Sequence, residues 1–163
     1  MSERWAVNAS PLILLAKINH QHLLSQLADE IVMPIGVVTE INAGPPSDPG
    51  QRFLATAPFP FVAVDLVPEV LAWDLGAGES EVLSYAFLHS GWKAVVDDGA
   101  ARRCAKALAI PCIGTLGVII RARQKGLIKA AAPLLKTLQV QGFRIDERMI
   151  RDVLRQTVDE SWD

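Results

Sequence analysis

No apolar run in this chain approaches the roughly 20 residues that a membrane-spanning helix needs. The richest stretch, 105–120, is broken by Lys106, Pro111, Gly114 and Gly117. The opening MSERWAVN has no long apolar core of the kind that directs secretion, so a soluble cytoplasmic protein is expected. Two cysteines, Cys104 and Cys112, make no disulfide framework in that compartment and read as two buried thiols. His20 and His22 lack the Cys/His companions of a zinc site. GAGES, 76–80, is neither G-x-G-x-x-G nor a P-loop and follows no clear strand. No spacing signals a Ser-His-Asp or Cys-His arrangement, and there is no internal repeat or low-complexity tail.

Acidic residues are missing from one long block. Residues 99–145 contain no Asp or Glu but nine Lys and Arg, whereas 1–98 hold twelve acidic and four basic residues. The net charge of −2 hides this segregation. A basic block beside an acidic one is the pattern of a protein that meets phosphates, nucleic acid among them. The competing explanation is a basic surface that aids solubility or meets an acidic partner.

What is present is half apolar, and 163 residues suffice for one domain, 1–163, with a substantial core. RWAV at 4–7 reads as a buried strand. Ser10 then serves as a helix N-cap with Pro11 in the first turn, and Leu12, Leu15 and Ala16 share a face. A helix is expected over 21–27, a strand over 30–33, and a helix that Pro34 opens and Gly44 ends. Residues 45–60, with five prolines, read as an irregular excursion, and 61–66 as a strand. A helix over 78–90 stopped by Gly91 precedes a strand over 93–97 and a helix capped by Asp98. A short strand PCI leads to a helix that Thr115 caps and Gly126 ends. Helices over 129–141 and after Asp146 complete the chain, with Ile145 and Ile150 spaced as a hydrophobic staple.

Short apolar strands alternating with helices predict an α/β protein with a parallel sheet covered on both faces. Such sheets bind ligands at the carboxyl ends of their strands. That rule selects Asn8 after the first strand, Asp97 and Asp98 after the fourth, and Thr115 after the fifth. Helix phase adds Glu79, which has Val82, Leu83 and Ala86 behind it on the face that should be buried. A carboxylate there is costly unless it is paired or metal-bound. Glu81 points elsewhere and reads as solvated. Glu40 sits at the edge of its helix's apolar stripe; it and Glu79 also fit plain helix-terminal or surface carboxylates.

The ordered set N-x-S-P-L-I (8–13), Glu40, G-E-S-E (78–81) and D-D-x-x-x-R-x-x-A (97–105), with GTLGVIIRARQKGLI at 114–128, resembles the PIN-domain family of metal-dependent nucleases. The likeness is to a PIN-like subgroup with that opening, and spans about 7–154. It implies a three-layer α/β/α sandwich around a central parallel sheet, with acidic residues gathered at one end to hold Mg²⁺ or Mn²⁺. By position, Asn8, Glu40, Glu79 and Asp97 take the four metal places, with Asp98 as a replacement. Glu40, Glu79 and Asp97 are then the catalytic carboxylates. Ser10 matches the family's Ser/Thr beside the first acid, and Arg102 and Arg103 are placed to hold flanking phosphates; for Arg103 a solvated helix face is the competing reading.

The chemistry explains the residue types. Hydrolysis of a phosphodiester needs an activated water and relief of phosphate charge, which hard divalent cations on oxygen ligands supply. The resemblance thus implies an endoribonuclease acting on RNA. It also implies the toxin of a toxin–antitoxin pair, with a small antitoxin as partner and a homodimer as a further expectation. One departure weighs against full activity: most active family members have Asp where this chain has Asn8. The alternative is a weak or inactive PIN-like domain that only binds RNA or a protein partner.

Overall fold

The computed structural model describes residues 2–163. Five strands form one sheet: β1 (Arg4–Val7), β2 (Glu30–Pro34), β3 (Phe61–Val62), β4 (Trp92–Val95) and β5 (Cys112–Ile113). All pairings are parallel, in the order β3-β2-β1-β4-β5. β1 is central, with Trp5 opposite Ile31 on one side and Lys93 on the other. Its Trp5, Ala6 and Val7 are wholly buried, the expected state of a strand covered on both faces.

Ten helices flank the sheet among the described residues, giving a three-layer α/β/α sandwich. They are α1 (Ala9–Lys17), α2 (His22–Leu27), α3 (Ile35–Asn42), α4 (Pro49–Thr56), α5 (Pro68–Leu71), α6 (Ala77–Leu88), α7 (Gly99–Ala107), α8 (Thr115–Gln124), α9 (Ala132–Val140) and α10 (Glu147–Val158). α6 lies across β1, β2 and β4, while α8 packs with α2 and α10. Leu12, Leu15 and Ala16 of α1 are buried together, as are Val82, Leu83 and Ala86 of α6. Both cysteines are free thiols; Cys104 is buried and Cys112 is half-buried.

Several local expectations are corrected. The prolines at 45–60 do not abolish regular structure. Asp48 accepts from the N–H of Gly50, Pro49 fills the first position, and α4 follows for eight residues. The strand expected at 61–66 is reduced to two residues, and a short helix, α5, follows it. Neither Ser10 nor Thr115 caps its helix. Asn8 and Gly114 occupy those positions without side-chain cap bonds, and the two hydroxyls are engaged elsewhere. Glu81 is not solvated: it accepts from the N–H of Gly36 at 3.1 Å, satisfying an open donor at the start of α3. Asp98 and Asp146 do cap α7 and α10.

The strand order reverses between β1 and β4, so the crevice outside the carboxyl ends of these two strands is the topological switch point. Asn8 and Asp97 both stand there. The N–H of Asn8 donates to the carbonyl of Val95 at 3.0 Å, which locks the two strand ends side by side.

Candidate active site

Asp97 is held by three donors. The N–H of Thr115 donates to Oδ1 at 2.7 Å, and the Thr115 hydroxyl to Oδ2 at 2.7 Å. The Ser10 hydroxyl also donates to Oδ2, at 3.1 Å. Three chain segments thereby meet on one carboxylate: the start of α1, the end of β4 and the start of α8. Ser10 lines the cleft, but its hydroxyl is directed to Asp97. Asp98, although adjacent, accepts from the N–H of Ala101 at 3.0 Å, so one of its oxygens is committed to starting α7.

The second grouping centres on Gly78. A Cβ at this residue would stand 2.9 Å from Asn8 Oδ1 and 3.5 Å from Glu40 Oε2, so glycine makes room for both oxygens. Asn8 is only 3% exposed, and its Oδ1 is buried with no hydrogen-bond partner. Such an acceptor is costly unless something donates to it or ligates through it. Burial, and then the charge of Glu79, raise the pKa of Glu40 above its ordinary value. Glu40 itself is largely exposed at the rim of α3.

Asn8, Ser10, Glu79, Asp97, Asp98 and Arg102 line one cleft of about 1050 Å³; Glu40 is not on its wall and shares with Asn8 only the space over Gly78. Arg102 directs Nη1 toward the Val96 carbonyl at 3.5 Å. A Cβ on Gly114 would meet that nitrogen at 2.6 Å and Asp97 Oδ1 at 3.0 Å, so Gly114 lets cation and carboxylate approach. Arg103 is exposed and lies outside the cleft wall, against Gly99. The basic block is divided too. Arg102, Arg121 and Arg144 line the cleft, but Arg121 is paired with Glu3; Arg123, off the lining, pairs with Glu160. Cys112 lies on the wall as well. Burial pushes its thiol up, with Arg102 opposing and Asp97 adding, so it is not poised as a nucleophile.

Among the described residues no three His, Cys, Asp or Glu side chains gather as a ready metal cage. The oxygens of Asp97 are turned to their three donors, and the place beside Glu40 belongs to an amide. What is gathered at Gly78 is a pair of oxygens, Asn8 Oδ1 and Glu40 Oε2; the Glu79 carboxylate lies over Gly76, where a Cβ would stand 2.7 Å from its Oε2, and its charge is felt at Glu40. That chemistry suits a hard cation that keeps much of its water, rather than one enclosed by protein. Sequence reasoning missed Thr115 as the anchor of Asp97, because it read the residue as a cap. It also missed the two glycines that make room for the polar side chains.

Sheet order and polar crevice together define an α/β protein whose ligand edge is the carboxyl end of β1 and β4. A family model described as a PIN domain matches residues 4–159, and the chain belongs to the PIN-domain family. Its fold is therefore of the nuclease type. A search of curated proteins returned no match.

Proposed function

We propose that this protein is a divalent-metal-dependent endoribonuclease and the toxin component of a toxin–antitoxin pair. The observation that carries the nuclease reading is the orphaned Asn8 Oδ1. It is buried beside Glu40 at Gly78, on the same edge of the sheet as the anchored Asp97. The toxin role and a small antitoxin partner rest on family likeness alone.

Asn8, Glu40 and Glu79 would hold Mg²⁺ or Mn²⁺, which when bound neutralises phosphate charge and makes water more acidic. Arg102 holds a phosphate beside the scissile one. Asp97, fixed by Thr115 and Ser10, orients the attacking water by accepting a hydrogen bond through a remaining lone pair. Asp97, on the cleft wall, takes the proton of that water as it adds to phosphorus, while Glu40 keeps its role in holding the cation. The P–O bond then breaks, and the leaving oxygen receives a proton from solvent. Asp98 stands in reserve as a cleft carboxylate, and Arg103 serves only the outer electrostatic field.

A second reading is favoured by two observations: Asn8 brings no charge, and among the described residues no three-acid group is gathered. On that reading the domain binds RNA or a protein without cleaving. Incubating RNA with the protein in Mn²⁺ and in EDTA separates the two. Cleavage that needs Mn²⁺ and disappears in Asp97→Asn supports the enzyme; intact RNA with measurable binding supports the rival.

A further inference from the structure

β2 runs into α3 without a loop: Pro34 is both the last residue of the strand and the N-cap of the helix. Its side chain makes no cap bond, and the first turn of α3 holds no acid. The first N–H groups of a helix have no partner within it. That of Gly36 is met from another helix, by Glu81 Oε1 at 3.1 Å, 45 positions along the chain. A Cβ on Gly36 would overlap Glu81 Oε2, so glycine is what admits the carboxylate.

The arrangement recurs one turn away with the helices exchanged. Here the glycine, Gly78, is on α6, and the glutamate, Glu40, is on α3. A Cβ on Gly78 would stand 3.5 Å from both Glu40 Oε2 and Val37 Cγ2. Gly36 and Glu40 are four apart on α3, and Gly78 and Glu81 three apart on α6, so each pair shares one helix face. Two crossed glycine–glutamate contacts therefore set how α3 lies on α6, one at the start of α3 and one at Glu40.

We infer that Glu81 is a positioning residue: by holding the N-terminus of α3 against α6, it places Glu40 beside Asn8 over Gly78. Glu81 is not on the cleft lining, so it acts through Glu40. The contact is a strong one of its kind. A charged acceptor strengthens the hydrogen bond, and the carboxylate sits at the positive end of the α3 dipole. Among the described residues Glu40 makes no ion pair of its own, so its place depends on how α3 is seated. That placement is a property of the fold without metal; only its consequence for Mn²⁺ rests on the nuclease reading.

Three variants separate position from charge. Glu81→Gln removes the charge and keeps an oxygen that accepts from Gly36. Gly36→Ala keeps the charge and displaces the carboxylate. Glu81→Ala removes both charge and bond. Mn²⁺ affinity is read from the EPR signal of the free ion, at a temperature where circular dichroism shows each protein folded. Glu81→Ala and Gly36→Ala should each weaken binding by at least about tenfold, the usual loss when a group that orients a metal ligand is removed. Glu81→Gln should stay near the wild type. Crystals of Glu81→Ala grown in EDTA should show the Glu40 carboxylate withdrawn from Asn8 Oδ1 relative to the wild type. Thermal unfolding checks the contact itself. Gly36→Ala should destabilise the wild type but not Glu81→Ala, where the space is empty and alanine is the better helix former.

The inference is overturned if Glu81→Gln loses as much affinity as Glu81→Ala, which would assign Glu81 to charge alone. It is also overturned if Glu40 keeps its place beside Asn8 in the Glu81→Ala crystals. A wild type that binds no Mn²⁺, with Glu40 withdrawn in the variant, would remove the metal reading and leave the positioning role. Mn²⁺ bound equally by the wild type and all three variants would remove the positioning role and leave the metal reading.

Discussion

Thr115 gives Asp97 both its backbone N–H and its hydroxyl, each at 2.7 Å, and so ties the start of α8 to the end of β4. Hydrogen bonds to a charged group contribute about 1.5–3 kcal/mol. Thr115→Val keeps the shape and the N–H but removes the hydroxyl from a fully buried site. It should lower stability by about 2 kcal/mol. Any cleavage should fall as well, since Asp97 is then held by fewer donors. Asp97→Asn should cost at least as much stability, because all three donors lose a charged acceptor and a hydroxyl must turn to accept from the new amide NH₂. Thermal unfolding and cleavage of the two variants check both expectations.

Asn8→Asp places a carboxylate where the amide oxygen has no partner. Without metal, a buried and unpaired charge near Glu40 and Glu79 should cost on the order of 3 kcal/mol. With Mn²⁺ the same carboxylate becomes an added ligand, so the metal-induced rise in Tm should be larger in Asn8→Asp than in the wild type. Equal shifts would assign Asn8 to shaping the turn after β1.

Gly78→Ala sets two effects against each other. Ala is favoured over Gly inside a helix by up to about 1 kcal/mol. Against this, its Cβ would stand 2.9 Å from Asn8 Oδ1, and overpacking costs about 1–3 kcal/mol. The contact should win, leaving the variant less stable and its response to Mn²⁺ smaller. A variant more stable than the wild type and with full metal response would show that the approach of Asn8 to Glu40 is unimportant.

Glu3 provides the pH test away from the site. Burial pushes its carboxyl up, but the Trp5 indole N–H, Lys93 and Arg121 outweigh that, and the pKa falls below 4.5. The unfolded chain therefore binds the proton more readily, so this contribution is fully present above about pH 4.5 and is lost as pH falls through the folded value. Because Glu3 is about a third exposed, solvent screening limits it to no more than about 1 kcal/mol. Wild type should exceed Glu3→Gln in stability at neutral pH, with the gap closing in acid. A gap that persists undiminished to low pH would mean that the charge of Glu3 contributes nothing.

The parts of the fold that depend on local pattern were legible in the sequence. β1, β2 and β4 declare themselves as apolar runs, and Asp98 and Asp146 cap the helices they precede. Long-range contacts were not legible. Ser10 looks like a cap because capping is judged within four residues, yet its hydroxyl is satisfied by Asp97, 87 positions away. Glu81 looks solvated until α3 brings the N–H of Gly36 to it. Proline count concealed α4, although Asp48 and Pro49 carry its start signal. At the site, the sheet rule selected Asn8 and Asp97 correctly as neighbours at the switch point. It could not show that Asp97 would be turned to three donors, or that Glu40 would approach from the rim.

The most direct measurement is the Mn²⁺ dependence of single-stranded RNA cleavage by the wild type and by Glu79→Gln, with EDTA as the zero point. Cleavage absent in EDTA is expected, with the variant slower by at least about tenfold and needing more Mn²⁺ to reach half its maximal rate. Identical Mn²⁺ curves for the two proteins, or cleavage that persists in EDTA, would contradict a metal-dependent site at this edge of the sheet.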